Sequence, residues 1–225
     1  MKAGDACTLP NPRRSGWRLP WTSWHADRVT DYLVLLRGIN VGGKNKVPMA
    51  RLRELLETLG YSNVSTYIAS GNAILRSDRP PGAIKRKIEA ALPKAFRLDS
   101  ELVAVLVLTR AQLQAVVDHR PEGFGEHPER FHSDAIFLIG IDAATAMQVF
   151  DPRPGVDRVW PGDGVIYSER LSAQRTKSRL NKAISTPTYK SMTVRSWATT
   201  MALLELLGAQ AEEVRPPVRN RANQR

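Results

Sequence analysis

A single cysteine, Cys7, is all the thiol this chain has. It can form no intrachain disulfide and no cysteine zinc site. That usage suits a reducing compartment, and a cytoplasmic location is the expectation. No apolar run approaches the roughly 18 residues of a membrane span, so no membrane partner is expected. Residues 1–30 lack the apolar core of a secretory signal. The four histidines show no ligand spacing on a helix face: His127 and His132 are five apart. No serine sits in a G-x-S-x-G elbow. The sequence therefore offers no metal site, no cofactor motif and no catalytic triad, and whether the chain is an enzyme stays open at this level.

Acid is also missing, in two places. Residues 37–53 carry Arg37, Lys44, Lys46, Arg51 and Arg53 with no carboxylate, and 170–204 carry seven basic side chains and none. Together these stretches exceed the whole chain's net charge of +11, so positive charge is concentrated rather than spread. Concentrated charge favours an anionic partner, although a pair of solvated basic faces would look the same.

What is present reads as an α+β body. "YLVLLRG" (32–38) is a buried strand, and Pro48 opens a helix with Met49, Leu52, Leu56 and Leu59 on one face. "NVSTYIASGNAILRS" (63–77) predicts a hairpin turning at Ser70-Gly71-Asn72. Pro80-Pro81 precedes a second helix, and "LVAVLVL" (102–108) is a further strand. That order is β-α-β-β-α-β, the ferredoxin-like unit.

Thr109 can cap a third helix. A long loop (119–133), a strand (134–140), a helix capped by Asp142 and a hairpin around Gly162-Asp163-Gly164 follow. "TKSRLNKAIS" and "VRSWATTMALLELL" predict two closing helices, the second capped by Thr193 and ended by Gly208. Trp197, Met201 and Leu204 would be its core stripe. The hairpin 70–77 echoes 161–168, which suggests two related ferredoxin-like halves with mainly antiparallel sheet. The expected organisation is a disordered extension over 1–30, a first α+β half over 31–109, a second over 110–207 and a disordered tail over 208–225. Oligomeric state is not legible.

Three separated motifs carry a resemblance: "LLRGINVGGKNKVPM", "YIASGNAILRS" and "RLNKAISTPTYKSMTVRSWATT". In combination they resemble a bacterial family known as domain of unknown function 1697, over about residues 31–207. The resemblance implies an α+β fold with two related halves and no established activity. Family members often carry asparagines beside the tryptophan of the last motif. Here Ser196 and Ala198 flank Trp197, so no amide role is carried over.

The first motif nearly spells a P-loop: Gly38, four residues, Gly43, Lys44, Asn45. A P-loop needs Ser or Thr where Asn45 stands, and a helix beginning at the lysine. Pro48 delays the helix, and hairpins do not build a parallel NTPase sheet. A looser reading remains. Gly38, Asn40, Gly42 and Gly43 can turn backbone N–H groups toward an anion, while Arg37, Lys44 and Lys46 supply charge. The plain alternative is a tight basic turn. Ser70 and Asn72 are turn residues that could border the same loop. Arg175, Lys177, Arg179 and Asn181 lie in the second basic stretch, where Arg175, Arg179 and Lys182 would share a helix face. Arg195 follows. These residues are the candidate ligand contacts, for a phosphorylated or nucleotide-like small molecule. Sequence-independent nucleic-acid binding and a structural or protein-interaction module are the alternatives.

Overall fold

The computed structural model describes residues 29–98 and 103–212. Nearly all of the expected N-terminal extension, and the tail after residue 212, lie outside the described residues.

The first half runs β1 (Thr30–Arg37), α1 (Met49–Thr58), β2 (Ser62–Tyr67), β3 (Asn72–Ser77), α2 (Pro81–Ala95) and β4 (Ala104–Thr109). Helix α3 (Arg110–Asp118) follows directly, and Thr109 caps it in a reciprocal box with Gln112. The second half runs β5 (Phe131–Leu138), α4 (Ala143–Met147), β6 (Asp157–Gly162) and β7 (Val165–Leu171). Three 3-10 turns come next, at Ser172–Lys177, Leu180–Ser185 and Pro187–Ser191. The chain closes with β8 (Met192–Ser196) and α5 (Trp197–Glu212).

Each half builds a four-stranded antiparallel sheet. The orders are β2-β3-β1-β4 and β6-β7-β5-β8, so the strands of the two halves take equivalent places. The fold is α+β with two related halves. They differ where α2 has no counterpart: the 3-10 turns fill its place between β7 and β8.

Three apolar clusters stack through the molecule. Leu52 and Leu56 of α1, with Ile84, Ile88 and Leu92 of α2, cover one face of the first sheet. Each such fully buried side chain contributes about 1.5–3 kcal/mol. The central cluster lies between the sheets, where α3 (Leu113, Val116, Val117) and α5 (Leu203, Leu207) pack together. Phe124 is its keystone, with its ring edge-on to those of Tyr167 and Trp197 at centroid distances of 5.2 and 5.0 Å. The long loop 119–130 is therefore anchored at its middle. Gly125 is required there, because a Cβ would stand 2.2 Å from the Trp197 ring. A third cluster covers the far face of the second sheet.

Three expectations need correction. Residues 192–196 form a strand paired with β5, not the start of a helix. Their β-branched and alternating pattern suits the open edge beside β5. The helix cap is therefore Ser196, whose hydroxyl accepts from the Thr199 N–H at 3.2 Å, and α5 continues through Gly208. Second, "TKSRLNKAIS" is two 3-10 turns broken at Ser178, so no α-helical face aligns Arg175, Arg179 and Lys182. Third, Met201 is exposed, and the buried stripe of α5 is Trp197, Thr200, Leu203 and Leu207.

Candidate functional site

The loop after β1 is shaped by its glycines and asparagines. Gly38, Asn40, Gly42, Gly43 and Asn45 all have positive φ. Glycine takes this conformation freely, and asparagine tolerates it best among the others. The Asn45 side chain donates to the Gly38 carbonyl at 2.7 Å and is buried. Asn40 donates to the carbonyls of Val47 (2.9 Å) and Ala69 (2.8 Å), and accepts from the Val47 N–H (2.8 Å). Both asparagines are scaffold. α1 starts at Met49 behind Pro48, so no helix N-terminus points into the loop as a P-loop would require. Lys44 and Lys46 are exposed, and neither has an ion-pair partner among the described residues.

Arg37 closes β1 and turns toward the second half. Its Nε donates to the Met192 carbonyl at 3.1 Å. Partial burial pushes its pKa down, and the nearby Tyr189 phenol pulls the other way. Burial in turn raises the Tyr189 phenol, with Arg37 opposing. The Gly-rich loop and the end of the second basic stretch thus meet at Arg37.

The β2–β3 turn borders the same place. Asn72 is fully buried and donates to Tyr67 O and Ser70 Oγ, each at 3.0 Å. Its Oδ1 accepts from Arg195 Nε. Arg195 spends its remaining donors on Thr193 Oγ1 (2.9 Å), Val194 O (2.8 Å), Leu36 O (3.0 Å) and Gly71 O (3.3 Å). All five N–H groups are occupied inside the protein. No carboxylate pairs with it among the described residues, and burial pushes its pKa down to about 10. Arg195 therefore joins the halves and holds the loop bases in place.

The candidates separate into two groups. Arg37, Asn40, Ser70, Asn72 and Arg195 are linked through the junction. Arg179 instead lies over the second sheet, its N–H donating to Asp157 at 2.8 Å and its guanidinium pairing with Asp151 at 3.2 Å. Asp151 also takes Lys182 at 3.3 Å. An acid from outside the basic run thus balances part of it. Arg175, Lys177 and Asn181 are exposed on the same segment.

Two residues at the junction escape a reading based on charge. Val41, at the tip of the Gly-rich loop, is 68% exposed, and Ile68, in the β2–β3 turn, is 51% exposed. Ile68 also has φ of +46°, where a β-branched residue is strained by about 1–3 kcal/mol. The Asn40–Ala69 hydrogen bond ties these two loops side by side. The only sequence signal was an apolar residue inside turn chemistry.

A half-enclosed cleft of about 470 Å³ opens elsewhere, between α3 and the second sheet, with Leu108, Val116, Phe137 and Tyr167 in its lining. Its apolar walls do not match the basic candidates.

Among solved structures, the chain is similar to a conserved bacterial protein, SP0830 from Streptococcus pneumoniae. The TM-score is 0.65 at 25% identity, covering 80% of this chain and 99% of that one. No curated protein matches the chain. Residues 29–167 match the model of a family described as a protein of unknown function, DUF1697. With more than half its length matched, and with the two-sheet α+β fold now described, the chain belongs to the DUF1697 family.

Proposed function

We propose that the protein binds a phosphorylated or nucleotide-like anionic ligand at the junction of its two halves. Lys44 and Lys46 supply charge, Arg37 borders the site, and the Gly42–Gly43 turn lets the ligand approach the backbone. The observation that carries this reading is the Arg37–Met192 hydrogen bond. It brings the acid-free loop 37–46 against the end of the acid-free segment 187–195, where Lys190 is also exposed. An acid-free loop with two exposed lysines, beside a segment of the other half that exposes Lys190, fits a compact anion. Nucleic acid is less well served, because both faces of each sheet carry packed apolar clusters and neither offers an open basic platform. Any chemistry here would rest on charge stabilisation rather than on a nucleophile. The lone thiol is consistent with action in the cytoplasm, and no described helix is long and apolar enough to cross a membrane.

The test is a thermal-shift screen of the full chain with nucleotides and phosphorylated metabolites, repeated on Lys44→Ala/Lys46→Ala. Stabilisation that rises with ligand concentration, and is lost in the double variant, supports the site. No shift with any phosphorylated compound sinks it.

A further inference from the structure

We propose that the ligand is a nucleoside phosphate, whose base rests on the exposed aliphatic side chains of Val41 and Ile68 while Lys44 and Lys46 take the phosphates. This rests on the anion reading above and narrows it to a ligand class.

The argument starts from two apolar side chains where a basic turn would be expected to show polar ones. Val41 and Ile68 are among the most exposed large hydrophobic residues of the described chain. They come from two loops that a hydrogen bond between Asn40 and Ala69 fixes together. Neither contributes to a core cluster. Exposed aliphatic surface next to lysines with no ion-pair partner among the described residues suits a ligand that is itself part apolar and part anionic. A free inorganic phosphate or a sugar phosphate would leave the apolar part unused. A nucleobase has a flat apolar face, and its phosphates complement the charge.

The backbone at Ile68 is a second, independent observation. A β-branched residue with φ of +46° is disfavoured, and glycine would remove the strain. Core packing does not account for isoleucine there, because the side chain is 51% exposed and belongs to none of the three apolar clusters. A side chain displayed at the cost of backbone strain, beside a candidate site, is explained if a ligand contacts it. The Gly-rich tip supports the same geometry. A Cβ on Gly42 or Gly43 would meet nothing within 4 Å, so the space beside Val41 is open.

The experiment compares ATP, AMP and inorganic tripolyphosphate by isothermal titration on the wild-type chain and on Val41→Ser and Ile68→Gly. We expect wild type to bind ATP at least tenfold more tightly than tripolyphosphate. Both variants should lose most of that preference while tripolyphosphate affinity stays within about twofold. Ile68→Gly should also melt at a higher temperature than wild type in the absence of ligand. A purely structural role for Ile68 cannot give greater stability together with weaker ATP binding. If ATP and tripolyphosphate bind equally, or the preference survives in both variants, the nucleoside assignment is wrong and the anion site stands. If none of the three binds, the anion site itself fails and the nucleoside assignment falls with it.

Discussion

Arg195 of β8 donates through Nε to the side-chain oxygen of Asn72 in β3, across 123 residues of sequence and from one sheet to the other. The pair is buried on both sides. A guanidinium buried without a carboxylate is costly unless every donor is met, and here each one is. Removing either residue should be felt by the whole fold. Asn72→Ala is expected to cost about 1.5–3 kcal/mol, because it strips one acceptor from a buried charge. Arg195→Lys should cost at least as much, since one ammonium cannot span five acceptors. Urea unfolding monitored by circular dichroism checks both. A loss below about 0.5 kcal/mol for either would show that the contact is not holding the halves.

The two turns of the junction should respond differently to a methyl group. Gly42 has φ of +57° and open space around it, so Gly42→Ala should cost only the left-handed penalty of about 1–2 kcal/mol. Gly71 has φ of +79°, and a Cβ would stand 2.8 Å from the Ile39 side chain and 3.0 Å from Leu36 Cβ. Gly71→Ala should add about 1–3 kcal/mol of overpacking to the same penalty. Equal melting temperatures for the two variants would contradict this ranking.

Tyr167 sets an alkaline limit. Its hydroxyl donates to the Val116 carbonyl at 2.6 Å, and burial pushes its pKa up to about 12 from an ordinary value of 10.0. Above the ordinary value the unfolded phenol releases its proton while the folded one keeps it. Stability should therefore fall as pH rises from about 10 to about 12, and the Tyr167 contribution should level off beyond that. Tyr167→Phe should lose about 1 kcal/mol at neutral pH and should lack this part of the alkaline slope. Denaturation midpoints measured from pH 8 to 12 would show whether the slope survives the substitution.

Duplex DNA binding should be weak and governed by salt. Each phosphate neutralised contributes a slope of about −0.9 in log affinity against log salt. Binding should be nearly gone at physiological ionic strength. Fluorescence anisotropy showing tight binding there would favour nucleic acid over a small ligand.

Several parts of the fold were legible because local chemistry and tertiary packing agree. Pro48, Pro80-Pro81, Thr109 and Asp142 mark helix starts through local preferences, and the structure begins α1, α2, α3 and α4 beside them. β8 was not legible. Met192–Ser196 is short and runs straight into a helix, and only pairing with β5 makes it a strand. The 3-10 segment failed for a similar reason. Lys177, Arg179, Leu180, Lys182 and Ala183 favour a helix locally, but the extended backbone at Ser178 divides the segment into two 3-10 turns. At the site, the Gly and Asn turn was readable, because positive φ selects those residues. The role of Arg195 was not, since charge suggests a surface contact and only the meeting of β8 with β1 and β3 buries it.

The 3-10 turns between β7 and β8 give two halves of equal topology unequal local cooperativity. α2 is a continuous helix of 15 residues, whereas Ser172–Ser191 is held by scattered bonds such as Ser178 N–H to Arg175 O at 3.2 Å and Tyr189 N–H to Thr186 O at 3.2 Å. Such geometry opens at lower free energy than a packed helix. Amide hydrogen exchange should be fast across 172–191 while the α2 amides remain protected. This segment contains Tyr189, ends at Ser191 and leads into the Met192 carbonyl that receives Arg37. A sub-global opening confined to this cover would carry Tyr189 away from Arg37, while Met192, paired with Leu138 in the second sheet, keeps its hydrogen bond to Arg37 and both sheets stay intact. One half thus carries a cover of low local stability beside Arg37, where the other half carries a packed helix.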